Sequence, residues 1–142
     1  MRNSNVEPTI ASQWWRWPLV PLASFVAGTA GAFAFGAFFW LSMKLQGGYQ
    51  ETGWMFRYVL PILCMGAFGW LFVTSASWVA PRGKFIVAVV MLTVLILIGL
   101  MNLLVHWVFQ TTEISEAVRV TFGAVSASFM GILAMIQIHK DA

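Results

Sequence analysis

The chain has 142 residues, 60% of them hydrophobic and only 9% charged. A soluble domain needs about 25% charged residues to cover its surface, so a chain with roughly a third of that takes lipid as its solvent. The net charge of +3 rests on eight Lys and Arg scattered between apolar runs, without the basic patch a nucleic-acid partner requires, and the single Cys64 excludes an internal disulfide or a Cys-based metal cluster.

The first 13 residues have the composition of a disordered tail. Trp14, Trp15, Arg16 and Trp17 then form an aromatic and cationic anchor of the kind that collects at a membrane–water interface. An anionic-lipid or partner contact is the alternative role for that anchor. Residues 1–17 are therefore expected as a cytoplasmic tail, and residues 18–142 as a single transmembrane domain.

Four apolar stretches follow, each long enough for the roughly 20 helical residues that cross a hydrocarbon core. The first runs from about Leu19 to Met43, with Pro18 and Pro21 in its first turn, where a missing N–H costs little. Lys44 and the glycine pair Gly47-Gly48 end it. A cleavable signal is the competing reading, with Arg2 and Arg16 as basic region and Ala30-Gly31-Ala32 as cleavage site; the apolar run continues past that site, which favours a retained helix. The second stretch runs from about Met55 to Ala80, and Pro61 should kink it or loosen its first turns. Pro81-Arg82-Gly83-Lys84 is a tight turn that folds the third stretch, about Phe85 to Phe109, back against the second. Hydroxyls and acids from Thr111 to Glu116 precede the fourth, about Ala117 to Ile138. The expected fold is all-α, an integral membrane antiparallel four-helix transmembrane bundle with short connections.

Orientation is read from the cations. With the N-terminus inside, Arg2, Arg16, Arg82, Lys84 and Lys140 lie in the cytoplasm, against Lys44, Arg57 and Arg119 outside. Cytoplasmic loops retain Lys and Arg, so both termini are placed in the cytoplasm, across a bacterial-type inner (plasma) membrane.

Two small-residue stripes stand out: Ser24, Gly28, Ala32 and Gly36 in the first helix, and Gly123, Ala127 and Gly131 in the fourth. Residues four apart share a helix face, and small ones let two backbones approach closely, which is what drives helix association in lipid. The first and fourth helices are expected to pack on each other through these stripes; an oligomer interface is the alternative. A polar cluster is expected near the outer helix ends. Asn102 and His106 share a face of the third helix, Arg57 and Arg119 reach the same side, and Glu113 and Glu116 lie between the third and fourth helices. Intramembrane polar groups by default mark a site, yet the two Arg lie within about two helical turns of the interface and can snorkel to water. Asn102 is deepest, and one interhelical hydrogen bond would satisfy it. The cluster reads first as structural glue and surface ion pairs, and otherwise as an anion site with His106 as its titrating member.

No cofactor is expected. His106 and His139 fall on opposite sides of the bilayer, too far apart to share a haem, and the three or more clustered ligands of a zinc or iron site are missing. No acid lies inside any apolar stretch, which disfavours proton- or cation-coupled transport. Thr29, Thr74, Ser75, Ser77, Ser126 and Ser128 would have to line any polar path, although such hydroxyls usually bond back to their own helix. With no catalytic group placed, the chain is read as a non-enzyme. The expected function is that of a non-catalytic accessory, assembly or scaffold subunit acting on other membrane proteins or on a second copy of itself. The alternative is a small oligomeric channel or transporter without an intramembrane acid.

Overall fold

The computed structural model of the chain describes residues 15–47, 53–80, 82–109 and 114–140. Trp14 and Glu113 fall outside them. The chain is helical: α1 (Arg16–Leu45), a π-helical turn (Met55–Val59) running directly into α2 (Leu60–Val79), α3 (Lys84–Val108) and α4 (Ile114–Lys140). Four helical segments of 30, 25, 25 and 27 residues are long and apolar enough to cross a membrane.

Several helix ends are explained by single residues. The π-helical turn lies just ahead of Pro61, whose missing N–H cannot serve the carbonyl of Arg57; the Leu60 N–H reaches instead to the Met55 carbonyl, one residue further back than α-helical spacing. The loosening expected there takes this form. Gly83 holds φ +65, a left-handed conformation that reverses the chain into α3 at little cost. α1 begins at Arg16, so Arg16 and Trp17 are helical and Pro21 lies inside the helix, past its first turn.

Helices adjacent in sequence run antiparallel. The termini of the helical region and the α2–α3 turn share one end, called here the terminal end; the α1–α2 and α3–α4 connections share the far end. The most extensive contacts join α2 to α4 and α2 to α1, while α3 packs on α4 and less on α2. α2 is thus the hub. The expected pairing of the first and fourth helices is overturned: α1 and α4 are not among the helix pairs in substantial contact. Each small-residue stripe is instead closed by α2. A methyl placed on Gly28 would come within 2.9 Å of the Phe68 ring, one on Gly36 within 3.3 Å of Cys64 Sγ, and one on Gly123 within 3.3 Å of Met65. Gly131 faces both Val73 of α2 and Leu92 of α3.

The reason lies in α2 itself. Gly66, Gly69, Val73, Ala76 and Ala80 are all buried, at alternating spacings of three and four. That is the seam of a helix that packs at a shallow angle on its neighbours from Gly66 onward. At Gly69 backbone meets backbone, since any side chain would run into the backbone of Ala127. Aromatic rings seal the α1–α2 side: Phe72 meets Phe25 edge-on at 5.3 Å and stacks on Phe68 at 5.5 Å, pairs worth about 0.5–1.5 kcal/mol each beyond area.

Burial is uneven along the axis. The core cluster of Val20, Phe72, Val73, Ala76, Ala80, Val87, Ala88, Met91, Leu92, Leu95 and Ala134 lies toward the terminal end. In the far half, Ala117 and Gly123 are buried on α4, whereas no residue of α1 beyond Gly28 or of α3 beyond Leu95 is. Burial is therefore densest toward the terminal end, although α1–α2 and α2–α4 contacts continue into the far half at Gly36–Cys64 and Gly123–Met65.

Candidate functional site

Among the described residues of the polar cluster expected at the far end, no hydrogen bond or ion pair joins Arg57, Asn102 and Arg119 to one another. Asn102 is exposed, and its side-chain amide donates to the Ile98 carbonyl of its own helix at 3.1 Å. The interhelical bond expected of it is absent because α3 turns this face away from its neighbours. Arg119 pairs with Glu116 at 3.7 Å, one turn away on α4, with both side chains well exposed. Such a pair contributes at most about 1 kcal/mol. Arg57 sits exposed on the π-helical turn, and among the described residues no ion pair reaches it. His106 is half-buried near the end of α3. The two histidines lie at opposite ends, and His139 packs against Phe85 with ring centroids 4.9 Å apart.

Polar ties between helices include one from Ser126, expected only as a candidate path hydroxyl, and one from Trp107 and Thr121, to which the sequence assigns no role. Ser126 Oγ donates to the Ile62 carbonyl at 3.0 Å, joining α4 to α2, and Trp107 Nε1 donates to Thr121 Oγ1 at 3.2 Å, joining α3 to α4. The first bond exists because Gly66 has no side chain: a methyl there would press to 2.9 Å on that same hydroxyl. Ser24, Thr74, Ser75, Ser77, Thr93, Thr121 and Ser128 each donate to a carbonyl three or four residues back in their own helix. Thr74, Ser75 and Ser77 border a groove between α2 and α4. With their protons committed to the backbone, they offer it little donor capacity.

No protein family, curated protein or solved structure matches this chain. The candidate site is therefore judged on its geometry alone. Among the described residues no three His, Cys, Asp or Glu side chains gather as metal ligands would.

A different surface is better formed. α1 has α2 as its one substantial partner and buries only Val20, Ser24 and Gly28. The rest of its surface also carries small residues: Ala30, Ala34 and Ala37 are exposed, interleaved with Phe33 and Phe38 at 77% and 66% exposure, and Phe33 and Ala37 edge a groove against Phe56, Leu60 and Cys64. Spacings of four and three keep the alanines on one stripe. Beyond Trp40, Lys44 Nζ lies 4.7 Å over the indole and holds it at the far end of the helix.

Proposed function

We propose that this chain is an integral membrane protein, with both termini in the cytoplasm of a bacterial-type inner membrane, that works as a non-catalytic accessory or assembly subunit through contacts with another membrane protein. The carrying observation is the outward stripe of α1. A helix surrounded only by lipid gains nothing from small residues, whereas Ala30, Ala34 and Ala37 allow a second helix to approach closely, with Phe33 and Phe38 beside them to fill the flanks. The hydroxyl groups argue in the same direction. Thr74, Ser75, Ser77 and Ser128 donate to their own helix and Ser126 to the Ile62 carbonyl, which leaves these five with little to offer a polar path and favours the accessory role over a channel or transporter.

The test is Ala34→Leu, which adds bulk to the open face without touching α2. The protein is purified from its native membrane in mild detergent and its mass measured. The wild type should carry a foreign membrane polypeptide in fixed ratio, and the variant should lose it while its unfolding temperature stays unchanged. An intact complex in the variant would refute the α1 face as the contact.

A further inference from the structure

The terminal end carries a feature that the α1 contact does not use. Because α1 and α3 both lean on α2 and not on each other, a cleft of about 390 Å³ is left between them. Its floor is the buried Val20, Val87 and Met91; Trp17 and Val90 form exposed walls, and Arg82 and Gly83 close its end. The lining is apolar except at that end, where the charges on the described residues are all positive. Arg82 and Lys84 are exposed, Gly83 leaves the N-terminus of the 25-residue α3 without a side-chain cap, and the first-turn N–H groups add the positive end of the helix dipole. Arg16 and Lys140 share this end. Among the described residues the sole carboxylate, Glu116, is at the far end.

We infer that this cleft is a site for an anionic glycerophospholipid. The phosphate sits between Arg82, Lys84 and the first turn of α3, and the upper part of one acyl chain lies against Val20, Val87 and Met91. The stretch of α3 from Lys84 to Met91 rises roughly 10 Å, a third of the roughly 30 Å hydrocarbon core, which suits the glycerol-proximal part of a chain. A free phosphate would satisfy the cations but leave the apolar cleft unfilled. A zwitterionic lipid would fill the cleft but bring its own cation to a cationic end. The inference rests on the membrane placement proposed above.

The experiment is native mass spectrometry of the detergent-purified protein with added phosphatidylglycerol or phosphatidylcholine. Wild type should retain phosphatidylglycerol over phosphatidylcholine, Arg82→Gln should weaken that retention about fivefold, and Val90→Trp should displace the lipid by filling the cleft. Arg57→Gln, a cation at the far end, should change nothing. Equal retention of the two lipids by wild type, retention unaffected by Arg82→Gln or by Val90→Trp, or an equal loss in Arg57→Gln would overturn the site. Alkaline carbonate extraction of the native membranes separates the two readings: release of the protein would overturn its membrane placement, whereas a protein that stays in the membrane yet shows no lipid preference would overturn the lipid site alone.

Discussion

A methyl group at Gly69 has nowhere to go but the backbone of Ala127, and backbone does not give way as a flexible side chain does. Gly69→Ala must push α2 and α4 apart, at a cost of about 1–3 kcal/mol for overpacking. Gly99 is the matching control. A methyl there would rest 3.6 Å from Ala124 Cβ, an ordinary contact, so Gly99→Ala should lose no stability. Thermal unfolding of the two variants in the same detergent compares them directly, and a Gly69→Ala protein as stable as Gly99→Ala would contradict the close approach. Ser126→Ala removes one interhelical hydrogen bond, worth about 0.6 kcal/mol on average within membrane proteins. Gly66→Ala should cost more, because it displaces that hydroxyl and also presses on Met130.

Among the elements, α2 organises the others, and the way it does so was only half legible in the sequence. Four spans and the effect of Pro61 follow from apolar run length and breaker residues, which act locally, whereas α1 and α4 begin at Arg16 and Ile114, ahead of the expected Leu19 and Ala117, and take Glu116 into α4. Both small-residue stripes were legible as packing faces, since spacing alone puts Gly28 with Gly36 and Gly123 with Gly131 on one face. Their partner was not legible, because a face does not name what it meets. Gly66 and Gly69 held the signal: their three–four spacing with Val73, Ala76 and Ala80 marks a seam that a search for residues four apart passes over. Asn102 escaped for a similar reason. Its shared face with His106 is set by helix geometry, but whether that face meets another helix depends on how α3 diverges from α2 beyond Leu95. The α1–α2 contact has a direct chemical test. A methyl on Gly36 lies 3.3 Å from Cys64 Sγ, close to the span a disulfide requires. Gly36→Cys should therefore cross-link to Cys64 on mild oxidation of intact membranes, read as a mobility shift reversed by reductant; no cross-link would place α1 elsewhere.

At the scale of the whole molecule, the helices bury more residues toward the terminal end than toward the far end. The same asymmetry leaves two surfaces for other molecules: the outward stripe of α1 and the cleft between α1 and α3. Neither asks for a catalytic group, and Ser24, Thr74, Ser75, Ser77, Ser126 and Ser128 each donate to a backbone carbonyl. Gly28→Leu and Ala34→Leu separate the two faces of α1, which are only six residues apart. Gly28→Leu should drive α1 off Phe68 and lower stability, whereas Ala34→Leu should leave stability intact and remove the partner. The central claim is that this chain acts through that open face, and the mass of the wild-type and Ala34→Leu complexes in mild detergent tests it most directly. The wild-type mass should not be a whole multiple of 15.8 kDa, because a foreign membrane subunit is present, and the variant should be stripped of it. A wild-type mass that is a whole multiple of the chain's own, with solute flux when that oligomer is placed in liposomes, would contradict it.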